Sequence, residues 1–271
     1  MEKVHQSLRF KLIEKVQPDA PLLIYLPGMD GTGDLFHRQI GSLTGWFDVR
    51  CLVIPVDDLR SWEELTAGVV SLVKQELQRY PRPAVYLLGE SFGGCLALQV
   101  ILQAPQLFDR LILSNPASAF NRHPLLYWGS YLVQPQPEVL YRWSCVSFVP
   151  FLAALERIEP DDRKALLKAM QSVSQEASVW RLSLLRELQL SDRQLASIEQ
   201  PTLLMASGGD RIFPSIAEAE RLADQIPTTQ RHILPRSGHA CLLERDVNLY
   251  SILQKQDFLE PAALTQVQAK R

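Results

Sequence analysis

The 271-residue chain has no run of about 20 apolar residues, so no segment is expected to span a bilayer. It has no excess of either charge. Its 28 Lys and Arg against 30 Asp and Glu give a formal net charge of −2, which offers nothing to steer nucleic acid. Cysteine is sparse: Cys51, Cys95, Cys145 and Cys241 lie far apart and form no C-x-x-C. That fits free thiols in a reducing, cytoplasmic compartment better than a disulfide scaffold or a zinc site. Met1 to Lys15 is charged throughout, without the apolar core of a secretion signal or an Arg/Ser-rich transit pattern. There is no repeat and no low-complexity segment. Neither G-x-x-x-x-G-K-[ST] nor G-x-G-x-x-G follows the first buried strand, so a nucleotide loop is not expected. No metal or organic cofactor is called for.

What is present is ordinary globular composition, 46% hydrophobic and 21% charged, enough for one large α/β domain with an insertion. The most informative stretch is Val85 to Gly94. An apolar run, Ala84 to Leu88, passes into Gly89-Glu90-Ser91-Phe92-Gly93, and a helical pattern follows over Cys95 to Gln103. This is a G-x-S-x-G elbow in the strand–turn–helix context it requires. The glycines flanking Ser91 keep side chains clear of the strand and helix, and the helix N-terminus presents amides to an oxyanion. By itself the motif also reads as a Gly-rich helix start with a capping serine.

The rest of the chain supplies the context. Ser7 to Val16 alternates as an edge strand, and Pro21 to Leu26 reads as a strand buried on both faces. Pro27-Gly28-Met29-Asp30-Gly31-Thr32-Gly33 follows, a loop whose amides can approach a ligand. In an ester hydrolase the loop after such a strand supplies the second oxyanion amide, which makes Met29 N–H the candidate beside Phe92 N–H; otherwise the stretch reads as a plain flexible turn. Phe36 to Leu43 is a short helix whose His37 reads as a surface or supporting residue. Val49 to Val56 is a strand, followed by Asp57 and Asp58, which lack a clear partner and read as turn and cap. Ser61-Trp62-Glu63-Glu64 is a capping box opening a helix to about Tyr80. Arg110 to Leu113 is the next strand. This alternation predicts a mostly parallel sheet with helices on both faces.

From about 121 to 195 the texture changes to aromatic, helix-like pieces cut by prolines at 124, 135, 137, 150 and 160. It reads as a helical cap inserted between core segments 1–120 and 196–271. Most of its aromatics are expected to pack onto the domain beneath, and a cap would favour an apolar substrate. Pro201 to Ala206 returns to buried-strand texture and ends at Ser207-Gly208-Gly209-Asp210. Arg231 to Leu234 is the last strand. Ser237-Gly238-His239 leads into a terminal helix from about Ala240 to Gln256, and the tail after Glu260 is expected to fray.

Ser91, Asp210 and His239 each follow a predicted parallel strand, so they converge on one sheet edge. A serine hydroxyl needs a base near neutral pH, a role for His239, with Asp210 to orient the imidazole and stabilise its cation. Taken singly, Asp210 reads equally as a helix cap and His239 as a loop residue. Gly28, Asp30 and Glu90, beside the oxyanion donors and the nucleophile, are expected to contact substrate.

The whole chain resembles the α/β-hydrolase fold. Leu26 to Gly33, Leu88 to Gly94, Leu113 to Ala117, Ser207 to Asp210 and Ser237 to His239 resemble the hydrolase half of the phytyl ester synthase/diacylglycerol acyltransferase family of plastids and cyanobacteria. The resemblance implies cleavage of an ester or thioester of an apolar acyl group through an acyl-serine intermediate. It also opens acyl transfer to an alcohol such as phytol or diacylglycerol. An apolar substrate, independently of the resemblance, leaves room for peripheral membrane contact through the cap aromatics. Longer family members carry a second half with an H-x-x-x-x-D motif; none of His5, His37, His123, His232 or His239 has Asp at the fifth position on, and acyl transfer is therefore in doubt. A third reading is a non-catalytic binding protein on the same scaffold.

Overall fold

The computed structural model describes residues 7–131 and 137–260. The tail expected to fray after Glu260, and Pro135 among the cap prolines, lie outside the described residues. Seven strands form one sheet: β1 (Arg9–Leu12), β2 (Leu22–Leu26), β3 (Asp48–Val53), β4 (Val85–Glu90), β5 (Arg110–Ser114), β6 (Thr202–Ser207) and β7 (Thr229–Leu234), in spatial order β1-β3-β2-β4-β5-β6-β7. Among the described residues, only the β1–β3 pairing is antiparallel. β1 lies at the edge, as its alternating pattern predicts.

The continuous apolar runs are explained by burial on both faces. On β2, Leu22, Ile24 and Leu26 point to one core cluster, and Leu23 and Tyr25 to the other. β4 divides in the same way, with Val85 and Leu87 against Tyr86 and Leu88. The first cluster is closed by α2 (Trp62–Arg79), α3 (Phe92–Gln103) and, further along the same face, α9 (Ser215–Gln225). The second is closed by α1 (His37–Leu43) and α10 (Leu249–Lys255). The Ser61–Glu64 capping box forms in full and opens α2, whose Leu65, Val69 and Val73 are buried at helical spacing.

Between β5 and β6 come α4 (Pro124–Tyr131), α5 (Glu138–Leu152), α6 (Pro160–Ser172), α7 (Gln175–Glu187) and α8 (Asp192–Ala196). The expectation that most aromatics here pack inward is corrected. Trp128, Tyr131, Trp143, Phe148 and Phe151 are exposed, because α4 and α5 turn an apolar stripe outward.

The expected terminal helix over 240–256 is also corrected. The chain makes a single 3₁₀ turn at Cys241–Leu243, and α10 begins only at Leu249. Gln39 Nε2 donates to the carbonyls of Leu242 and Val247, and Gln39 Oε1 accepts from Leu249 N–H. That side chain takes up backbone groups a continuous helix would have used, and Asn248 caps the helix that remains.

Candidate active site

The β4–α3 turn is held in one conformation by its neighbours. Ser91 has φ 54° and ψ −115°, outside the ordinary regions for a side-chain-bearing residue. The strain persists because everything around it is fixed. Ser91 N–H donates to Ser114 O at 3.0 Å, and Ser91 O accepts from Gly94 and Ala117 N–H. A Cβ on Gly89 would lie 2.4 Å from Gly93 O, and one on Gly93 would lie 2.1 Å from Leu26 O. Bare backbone at these two positions lets α3 meet β4 and the end of β2 closely enough to bring the turn beside the Pro27–Gly33 loop. The apolar side of the turn is closed by Phe92, fully buried and stacked on Trp62 at 4.8 Å.

Three strand ends deliver the polar groups. His239 Nε2 lies 2.8 Å from Ser91 Oγ, and His239 Nδ1 lies 2.7 Å from Asp210 Oδ2. Asp210 Oδ1 accepts from the N–H groups of Ile212 and Phe213, and Ser215 Oγ donates to Oδ2. Burial pushes this carboxyl up, but the His239 charge and these hydrogen bonds outweigh it and hold Asp210 below the usual carboxylate value. An ionised, fully hydrogen-bonded Asp210 fixes the imidazole with Nδ1–H toward the carboxylate. That leaves Nε2 to accept the Ser91 proton.

The Gly28–Gly33 loop lies against this row. A Cβ on Gly28 would stand 3.7 Å from Ser91 Cβ, so the loop backbone passes directly over the serine. Asp30 and Glu90 are engaged by the protein itself. Asp30 Oδ2 accepts from Thr32 N–H at 2.9 Å and from the Thr32 hydroxyl. Glu90 is buried and accepts a hydrogen bond from Tyr25 OH. Lost hydration pushes Glu90 up to about 7, against the pull of Tyr25 and His239. It also raises Asp30. Burial thus shifts both carboxyls beside Ser91 toward holding their protons more tightly.

Several residues that organise the site gave little or no signal in the sequence. Arg181, on α7, is 2% exposed. Its guanidinium donates to the carbonyls of Met29 and Pro55, and it faces Asp58 and Asp30. It therefore ties α7 to the loop over Ser91. Asp58 is corrected from an unpartnered turn residue to a buried one bound to Arg60 and facing Arg181. Asn115, fully buried with φ 43°, links three loops: its Nδ2 donates to His239 O and Ser207 Oγ, and its Oδ1 accepts from Ser207 N–H. Glu244 accepts from Gly238 N–H and Ser237 Oγ and is paired with Arg157, fixing the turn that carries His239. A single Arg, Asn or Glu in a helix or loop carries no periodic signature. Only Asn115, within the Leu113 to Ala117 motif, was available to sequence reasoning. His37, read as a supporting residue, binds Asp162 at 2.7 Å on α6.

A sheet of this order with a strained serine after β4 and an acid and a base after β6 and β7 defines an α/β hydrolase. The family model for serine aminopeptidase, S33, matches residues 57–246, and the chain belongs to that family of α/β hydrolases. It is 30% identical over 261 residues to phytyl ester synthase 1, chloroplastic, of Arabidopsis thaliana, covering 87% of this chain but 37% of that protein. The chain thus spans little more than a third of that relative's length. It is 29% identical over 237 residues to the pimeloyl-[acyl-carrier protein] methyl ester esterase of Vibrio campbellii, covering 81% of this chain and 88% of that one. Among solved structures, MenH from S. aureus superposes with a TM-score of 0.74 at 15% identity, covering 97% and 99% of the two chains, a likeness of fold.

Proposed function

We propose that the protein is a serine esterase that cleaves a carboxylic ester or thioester of an apolar acyl group through an acyl-serine intermediate. The observation that carries this reading is the hydrogen-bonded row Ser91–His239–Asp210, at 2.8 and 2.7 Å. Ser91 Oγ attacks the acyl carbon as its proton passes to His239 Nε2, with Asp210 compensating the imidazolium. The amides of Phe92 and Met29 receive the oxyanion, and the Arg181 bond to Met29 O holds that part of the loop. His239 then protonates the leaving alcohol or thiol. In deacylation it takes a proton from water, whose oxygen attacks the acyl carbon; the bond to Ser91 Oγ breaks, His239 Nε2 returns the proton to Oγ, and the acid is released. Gly28 borders the reacting centre, whereas Asp30 and Glu90 act through the loop and the imidazole rather than by touching substrate.

The helices between β5 and β6 serve as the cap and supply apolar walls. The likeness to a phytyl ester synthase over most of the chain supports one second reading, in which an alcohol replaces water in deacylation. The test is a panel of acyl esters and thioesters of rising chain length, with and without a long-chain alcohol, run beside Ser91→Ala. The esterase reading expects acid release by the wild type alone; ester product in place of acid would move the assignment to acyl transfer. No turnover by folded protein on any member would favour a binding role.

A further inference from the structure

Exposed large apolar side chains are unevenly spread over the described residues. Of fifteen, nine fall between Leu125 and Phe151, on two consecutive helices. On α4 they are Leu125, Trp128 and Tyr131, at three-residue spacing and so on one face; Leu125 is 80% and Trp128 68% exposed. On α5 they include Leu140, Trp143 and Phe151, with Trp143 66% exposed. This is the reverse of a surface helix, which turns its polar face outward. Between Val139 and Leu152 the one charged residue is Arg142, and α4 has none. A water-facing stripe of this kind is an interaction surface.

Two features identify what it meets. The first is composition. Trp, Tyr and Phe dominate, the side chains that settle at a lipid–water boundary with their rings among the headgroups and acyl chains. The second is charge. A groove between α5 and α6, beside the stripe, is lined by Arg142, Lys164 and Lys168, with Gln171 and Ser172. Lys164 and Lys168 are exposed, and Lys164 is shared with Asp161. Cations at the edge of an aromatic stripe suit phosphate headgroups at the depth where the rings enter the acyl region. A second copy of the chain fits less well, because symmetric pairing on this face would bring like cations together.

We propose that α4 and α5 dock this protein on an anionic lipid bilayer, with the aromatic stripe in the interface and the α5–α6 groove on the headgroups. The site stands close to that surface. Ala240 N–H, next to His239, donates to Leu152 O at 2.8 Å, and Arg211, next to Asp210, donates to Pro150 O at 3.2 Å. The C-terminal end of α5 thus rests on both the base-bearing and the acid-bearing loops. Docking therefore holds the loops that carry His239 and Asp210 close to the lipid phase in which an apolar ester resides. That consequence rests on the esterase reading; the docking itself does not.

The test separates the two. Ser91→Ala protein, which removes turnover from the assay, is mixed with vesicles of equimolar phosphatidylglycerol and phosphatidylcholine and sedimented, and the tryptophan emission is recorded. The expected result is co-sedimentation with a blue shift. Trp128→Ser with Trp143→Ser should weaken partitioning more than about tenfold while leaving turnover of a short soluble ester by the wild-type serine unchanged. Lys164→Gln with Lys168→Gln should cost about fivefold to tenfold on these vesicles and little on pure phosphatidylcholine. No binding to anionic vesicles, or equal binding by the tryptophan variant, overturns the proposal. A concentration-dependent dimer abolished by the tryptophan substitutions, without vesicle binding, overturns it in favour of a second copy. Vesicle binding by a protein that cleaves no ester would leave the docking standing and remove the esterase reading.

Discussion

The sheet edge that carries Ser91 and the pair of helices α4 and α5 solve opposite problems. At the edge, polar groups are buried and every one described above has a partner, with Asn115, Glu244 and Arg181 each joining segments distant in sequence. On α4 and α5, large apolar groups face outward and few are packed. The first region trades conformational freedom for fixed geometry, which acyl transfer needs. The second keeps surface available at a cost in exposed apolar area, which is sensible only if something else covers it. The contrast implies that chemistry depends on buried positions and tolerates little, whereas the outer helices tolerate much without loss of fold.

The sharpest division should come from Ser91→Ala, which leaves the fold intact and lowers kcat by about a millionfold on a soluble ester, with His239→Ala comparable. Next, Gly93→Ala should be severe in stability, because its Cβ would meet Leu26 O and Pro27 O, both buried backbone. A loss of about 3 kcal/mol or more in chemical denaturation is expected. Arg181→Met should follow. It strips partners from the Met29 and Pro55 carbonyls, lowering stability by about 3 kcal/mol and kcat about ten- to hundredfold, with KM little changed. Arg181→Lys should recover part of both; a variant as active as the wild type would detach the insertion from the chemistry.

Glu90 tests the same contrast by pH. Its pKa in the fold is raised from 4.5 to about 7, so the native state holds the proton more tightly than the unfolded chain does. The stability it contributes is fully present below about 4.5 and is lost as pH rises through about 7. Glu90→Gln should flatten that decline, by no more than about 3 kcal/mol across the window, and alter the pH dependence of kcat/KM near neutrality. Asp210 has the opposite sign: its lowered pKa stabilises the fold above the ordinary Asp value and is lost as pH falls. Smallest of all, Trp143→Ser should change thermal stability by less than about 0.5 kcal/mol. A large loss there would mean that α5 is packed as core.

Much of the site edge was legible because its signals are local. Ser91 and Asp210 follow apolar strands and His239 follows the last strand, and a parallel sheet brings such strand ends together. The Ser61 capping box and the buried run Leu22–Leu26 were readable for the same reason. What escaped depends on tertiary partners. Gln39 interrupts the expected terminal helix through carbonyls more than 200 residues away in sequence. Arg181 reaches Met29 across 152 residues. The extent of the outward face of α4 and α5 was underestimated, although membrane contact through cap aromatics was open, because aromatic content signals burial by default and helical spacing alone does not say which face meets the protein.

The most direct test of the central claim is reaction with a fluorophosphonate probe followed by peptide mapping. The account predicts a stoichiometric adduct on Ser91, absent in Ser91→Ala and strongly slowed in His239→Ala and Asp210→Asn. A folded protein that forms no adduct, or forms it on another serine, would contradict it.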